Sequence, residues 1–472
     1  MKAIISTIVA HFLLSSLSAN NVEITGLTQS GNILTFEITW ENSWRSGLEF
    51  HDAVWIFVKQ APNGGPSWLH ANISSGLVDQ AYEAVVPDDH VGVFVRRAAD
   101  GNGTANAQVQ LTLENPIGAY RDYQVMAVEM VYVPEGAFYL GDGSSTGTIH
   151  KGDDPTSSYY VESEAAMTRG STSTDFDGGL GTADMPADFP KGYNSFYCMK
   201  YPVTQSQYVD FLNCLPRIVQ DLRTGSDLSG TTVTNRFVMT DTTIVLSANG
   251  IRCDEIIGSA NIHFYCDFDS DGIGNESNDG QSKICGYLSP RDVFAYMDWS
   301  GLAPMTAFEY EKACRGPLPS VPSEYAWGST LVNISTVFVN EGEENEKHPT
   351  SGVLGGLMSY NNARRVGLNT PETGATRELS NASYYGIMDL TSRYDNLPVY
   401  YSISSFPYAG EEGDGSLSAI GEADFISPIP KLQLKQFYVG SSLNSRGTVS
   451  YAFYIGNELR RIANMIRAAK RI

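Results

Sequence analysis

The chain has no HExxH pair, no GxSxG elbow and no GxxxxGK[ST] loop. Zinc-peptidase, serine-hydrolase and P-loop chemistry are therefore without their usual sequence support. It also has no CxxC spacing, which leaves thiol-redox and zinc-ribbon readings weak. Beyond the first residues no apolar run is long enough to span a bilayer, so no transmembrane segment is expected. Cationic residues are few: 31 Lys and Arg stand against 53 Asp and Glu, for a net charge of −22. Such an acidic surface repels nucleic acid and anionic lipid, and it is compatible with Ca²⁺, a hard cation that prefers carboxylate ligands.

The 472 residues open MKAIISTIVAHFLLSSLSANN. Lys2, the short apolar run from Ile4 to Leu17 and small residues near Ser18 and Ala19 read as a secretory signal peptide over 1–19. The expected location is secreted, cell-surface or periplasmic. Export permits disulfides, and the six cysteines (Cys198, Cys214, Cys253, Cys266, Cys285, Cys314) would fit up to three of them.

Residues 20–118 read as all-β. Leu34, Phe36, Ile38 and Trp40 alternate with other residues, and Ala53 to Val58 is a continuous apolar run suited to a central strand. Turn signals at Pro62-Asn63-Gly64-Gly65 and Asp100-Gly101-Asn102-Gly103 separate the strands, and the spacing predicts an immunoglobulin-like sandwich. Asn115-Pro116-Ile117-Gly118 reads as a linker. The remainder is mixed α+β with much irregular chain. Three helices are marked by their caps: Thr204 with Gln207, Ser289 before Pro290, and Thr306 with Glu309.

One motif offers metal chemistry. In Asp267-Phe268-Asp269-Ser270-Asp271-Gly272-Ile273-Gly274-Asn275 the first, third and fifth positions are acidic and a glycine follows. That is the front half of a Ca²⁺ loop, with Asp267, Asp269, Asp271, the Ile273 carbonyl and Asn275 as candidate ligands. The twelfth position is Asn278 in place of the bidentate Glu of an EF-hand, and a solvated acidic turn reads the same way. The basic C-terminal stretch, with Arg460, Arg461, Arg467, Lys470 and Arg471, reads either as a basic amphipathic helix for membranes or, as expected here, as a last element whose arginines pair with the domain's own carboxylates.

Several segments in order resemble the formylglycine-generating enzyme, or sulfatase-modifying factor, domain. They are MVYVPEGAFYLGD, FYCMKYPVTQSQYVDFLN (196–213), WSGLAPMTAFEYEKACRG (299–316) followed by Tyr325-Ala326-Trp327-Gly328, YYGIMDLTSRYDNLPV (384–399) and GSSLNSRGTVS (440–450). The resemblance covers 126–472. It implies a C-type-lectin-like fold with little regular secondary structure and bound Ca²⁺. It also brings a departure. The enzyme's copper site uses a pair of cysteines near the C-terminus, and no cysteine follows Cys314 here. Ser392-Arg393-Tyr394-Asp395-Asn396 likewise replaces the family's Gly-Asn-x-Trp-Glu pattern. The expectation is therefore an exported, non-catalytic binding or surface protein, a pseudoenzyme, without copper. It would recognise a glycan or protein through a loop groove near Tyr394, Tyr400, Tyr401 and Asn444. The alternative is a divergent oxidase of the same family with a site free of copper cysteines. Such a site would have to draw on His150, His263 and His348.

Overall fold

In a computed structural model the chain is β-rich, with open antiparallel sheets and a few short helices. The structure describes residues 22–65, 67–114, 121–144, 148–179, 183–331, 338–347, 364–368, 376–391, 396, 398–399, 408–424, 434–436, 453–455 and 464–472. The expected signal peptide lies outside them.

The first part supplies β1 (Glu23–Ser30), β2 (Ile33–Arg45), β3 (Asp52–Pro62), β4 (Leu69–Ala71), β5 (Ile73–Val78), β6 (Tyr82–Val85), β7 (Val93–Arg97) and β8 (Gly101–Leu113). One sheet runs β1-β2-β8-β5. Its alternation is the one expected: Leu34, Phe36, Ile38 and Trp40 on β2, and Ala105, Ala107, Val109, Leu111 and Leu113 on β8, are all buried.

The second sheet does not stop at the expected domain boundary. β9 (Arg121–Val133) pairs antiparallel with β3 over eleven positions, from Asp52↔Val131 to Pro62↔Arg121. The sheet then continues into the second segment through β14 (Phe196–Met199), β20 (Ala468–Arg471) and β17 (Ala303–Pro304), in the order β17-β20-β14-β9-β3-β7-β6. Between them in sequence lie small ribbons: β10 (Phe138–Leu140) with β12 (Tyr159–Val161), β11 (Ile149–Lys151) with β13 (Phe176–Gly178), and β15 (Ile251–Cys253) with β16 (Phe264–Cys266). A last ribbon joins β18 (Leu434–Gln436) and β19 (Phe453–Ile455).

This shared sheet explains the unbroken apolar run of β3, in which every residue from Asp52 to Ala61 is buried. A strand covered on one face alternates, whereas a strand covered on both does not. Val54, Ile56 and Val58 face β2 and β8 in one core. Ala53, Trp55 and Phe57 face the helices of the second segment in another. That second core collects Tyr208, Phe211 and Leu212 of α1 (Gln205–Cys214), and Tyr296 and Trp299 of α3 (Pro290–Trp299). Between those helices lies α2 (Arg217–Leu222), and after them come α4 (Ala307–Arg315) and α5 (Arg377–Ser380). Thr204, Ser289 and Thr306 each close a full capping box, so the starts of α1, α3 and α4 fall where the sequence puts them. The helix α2 was not anticipated, because Pro216 reads as a stop; here it is the N-cap residue of the next helix.

Trp55 is the wedge between the two segments. It is fully buried, and its indole N–H donates to the Ser300 carbonyl at 2.9 Å. Gly92 lets β3 approach: a Cβ there would lie 2.5 Å from the Trp55 ring and 2.7 Å from the Ile56 carbonyl oxygen. Gly92→Ala should therefore cost about 1–3 kcal/mol as overpacking. Urea unfolding of the purified variant checks this, and an unchanged midpoint would contradict it.

The six cysteines correct the disulfide expectation. All are buried and unbridged. Cys214, Cys253, Cys266 and Cys285 lie in one core cluster and Cys198 and Cys314 in another, where a thiol packs as a small apolar group. Burial pushes the thiols of Cys198, Cys253 and Cys314 up to about 12. The basic C-terminus pairs internally: Lys470 with Asp89, and Arg471 with Glu309 at 2.7 Å and Glu412 at 3.2 Å.

Candidate functional site

The acidic turn follows β16. Positive φ angles at Ser270 (66°), Gly272 (92°) and Asn275 (65°) curl the chain back on itself. Carboxylate-to-backbone bonds hold the curl: Asp269 Oδ1 accepts from Asp271 N at 3.1 Å, and Asp271 Oδ1 accepts from Ile273 N at 2.7 Å. The result brings one oxygen from each of Asp267, Asp269 and Asp271 within 4.8 Å of the others. Asp267 is buried and ion-paired with Arg252 of β15, while Asp269 and Asp271 are exposed.

Of the other expected ligands, Ile273 follows in the same turn, with its side chain in solvent. Asn275 is used differently from the expectation. Its Oδ1 accepts from Cys266 N at 3.1 Å, and its own N–H donates to the Cys266 carbonyl at 2.9 Å, so it closes the turn. Two further carboxylates, missed in the sequence, join the group. Asp279 is fully buried; its Oδ2 accepts from Glu276 N at 2.7 Å, and its Oδ1 has no partner. Burial, with repulsion from Asp269, Asp267 and Glu276, pushes the Asp279 carboxyl up to about 6. Glu276 is raised as well, by desolvation and then by Asp271 and Asp269. Five carboxylates thus share one turn with Arg252 as the cation paired to one of them. Chain proximity, Asp279 lying twelve residues after Asp267, was the signal available for the fifth.

A second aspartate group forms where α3 ends. Asp298, buried, accepts from Asp414 N at 3.2 Å and Asp424 N at 2.8 Å, and the three carboxylates come within 4.8 Å of one another. Burial and the two neighbouring carboxylates push Asp298 up to about 7, although the two backbone donors oppose the shift. Beside it opens a cleft of about 350 Å³ lined by His70, Asn72, Asp89, Val91, Glu412, Gly413, Asp414 and Ser416. Its floor is rigid. His70 sits between the Lys59 ammonium and the Val91 carbonyl, and Lys59 also donates to the carbonyls of Trp299 and Gly415. Burial pushes Lys59 down to about 7 and holds His70 well below its ordinary range.

The groove expected at Tyr394, Tyr400, Tyr401 and Asn444 lies outside the described residues. Tyr408, from the same aromatic stretch, is core: it is buried and donates to the Pro304 carbonyl at 2.7 Å. Among the described residues, both groups able to hold a metal consist of aspartates alone, the donor set of a hard cation. His150 and His263 belong to neither, and His348 lies outside the described residues.

A third charged cluster lies at the seam between the segments. Lys200 follows β14, and its Nζ donates to Asp52 Oδ2 of β3 at 2.9 Å, Glu129 Oε2 of β9 at 2.8 Å and the Asn42 carbonyl at 2.9 Å. All three charged side chains are buried. Burial pushes Glu129 up to about 7 against the opposing pull of Lys200. No family model matches this chain, and no curated protein matches it either.

Proposed function

We propose that this is an exported, non-catalytic binding protein, stabilised by Ca²⁺ at the Asp267–Asp279 turn. Its second segment is built on the scaffold of the formylglycine-generating enzyme, a variant of the C-type lectin fold, behind an immunoglobulin-like sandwich. The scaffold reading is supported by the return of β20 beside β14, with β14 beside β9, which sets the start and end of 126–472 next to each other. The capped helices α1, α3 and α4 fall in the resembling segments. The sandwich reading is supported by two antiparallel sheets face to face around Trp40.

The observation that carries the Ca²⁺ assignment is the convergence of one oxygen each from Asp267, Asp269 and Asp271 to within 4.8 Å, with the bare Oδ1 of buried Asp279 twelve residues after Asp267 in the same segment. An uncompensated buried carboxylate is costly, and a divalent cation among oxygen ligands removes the cost. Asp267, Asp269 and Asp271 would be the ligands, with Glu276 and Asp279 adding charge. The ligand of the protein itself is a glycan or a protein surface. The 350 Å³ cleft is a concave place for it, since its carboxylates, the Asn72 amide and the Ser416 hydroxyl suit a hydroxyl-rich molecule.

Metal analysis of the purified protein should find calcium. At a hundredfold excess over its dissociation constant, Ca²⁺ should add about 2.7 kcal/mol of stability. The Asp267→Ala, Asp269→Ala and Asp271→Ala variants should lose that increment in thermal unfolding. Stoichiometric iron or copper in the wild type would overturn the non-catalytic reading, and undiminished Ca²⁺ binding by the three variants would remove this turn as the site. A glycan array then tests the ligand class.

A further inference from the structure

Lys200, Asp52 and Glu129 are held in a geometry that goes beyond an ion pair. Asp52 presents its two oxygens to different partners. Oδ2 faces the Lys200 amine at 2.9 Å, while Oδ1 accepts from the Ser43 hydroxyl at 3.1 Å and from Trp44 N at 2.9 Å. Glu129 touches the amine with Oε2 at 2.8 Å and leaves Oε1 without a partner. The three side chains are no more than 3% exposed, so water is excluded. An amine against a carboxyl group, two donors on the carbonyl oxygen and a second carboxyl group on the same amine are the components of an amide condensation.

We propose that Lys200 and Asp52 join in an intramolecular isopeptide bond, with Glu129 carrying the protons. The ion pair and its neutral amine–acid form contain the same protons; burial disfavours the charged form, while Asp52 and Glu129 hold the Lys200 ammonium well above its ordinary range, so the neutral pair is the minor form through which the reaction passes. A proton leaves the Lys200 ammonium for Glu129, and Glu129 gives one to Asp52 Oδ2. This leaves a free amine and a carboxylic acid. The nitrogen lone pair then forms the Nζ–Cγ bond. The carbonyl π pair moves onto Oδ1, where the Ser43 hydroxyl and Trp44 N–H hold the developing charge. Glu129 accepts one of the two protons on the nitrogen with one oxygen and delivers one to Oδ2 from the other, so the amide keeps a single N–H. The Cγ–Oδ2 bond breaks, its electron pair leaves with a water molecule, and the carbonyl re-forms. One amide and one water result, and nothing is oxidised or reduced.

The raised Glu129 carboxyl, at about 7, suits a group that must both take and give a proton near neutrality. Bulk water favours hydrolysis of an amide. Fixed geometry opposes this with an effective concentration on the order of 10⁵–10⁸ M. The product links β3 to the residue after β14, across the seam between the two segments.

Peptide mapping and intact mass of the denatured full chain test the bond. The expected mass is that of the purified chain, from its own first residue, less one water. Trypsin should leave Lys200 uncut and release residues 46–59 joined to 192–217. Lys200→Arg and Glu129→Gln should show the full mass. A wild-type chain at full mass, cut by trypsin after Lys200, overturns the bond. Loss of water that persists in Glu129→Gln overturns the role of Glu129.

Discussion

Replacing Lys200 with methionine should lower the unfolding free energy by about 3–5 kcal/mol. The methionine fills much of the lysine's volume, so the loss is electrostatic. It leaves Asp52 and Glu129 facing each other in a site that water does not enter. Glu129 already holds an unpartnered oxygen, and without the ammonium its second oxygen joins it. The Asn42 carbonyl loses its donor too. Where the Lys200–Asp52 bond has formed, its removal also frees a loop of 148 residues, worth on the order of 5 kcal/mol on the chain-entropy account of cross-links. Lys200→Arg separates the two contributions, because it keeps the charge and forms no amide. Denaturant unfolding of the three chains is the measurement. A methionine variant as stable as the wild type would show that the cluster does not hold the segments together.

Asp298→Asn should change how stability depends on pH. The Asp298 carboxyl is raised from its ordinary value near 3.8 to about 7. Below pH 4 the native and unfolded chains both hold this proton. Between pH 4 and 7 the native chain keeps it while the unfolded chain gives it up, so rising pH draws the equilibrium toward unfolding. Up to about 4 kcal/mol of stability present in acid should be lost on passing through pH 7. The asparagine variant has no proton to lose. It still lacks one acceptor for the N–H groups of Asp414 and Asp424, a loss that is constant with pH. The difference in unfolding free energy between wild type and variant should therefore fall in favour of the variant from pH 4 to pH 7. Parallel curves would mean that Asp298 titrates normally.

The local features were legible. The capping boxes at Thr204 and Thr306, and Ser289 followed by Pro290, rest on residues three apart or adjacent. The strands of the first segment show through their alternation, and the turn at Asp267 shows through its acidic spacing. What the sequence determined alone is what neighbouring residues settle among themselves: the alternation of β2, the capped starts of α1, α3 and α4, the curl of the acidic turn, and the unbroken apolar character of β3.

Only the tertiary structure decided what that apolar run is for. Both faces of β3 are covered, by β2 and β8 on one side and by α1 and α3 on the other, and so the two segments share a sheet. The same holds for the charged clusters. Asp52 and Lys200 are 148 residues apart, and Glu129 and Lys200 are 71 apart. Each alone is an ordinary residue in an acidic chain. Burial is what makes them a unit, because charges that water would screen must find one another once the sheet has closed over them.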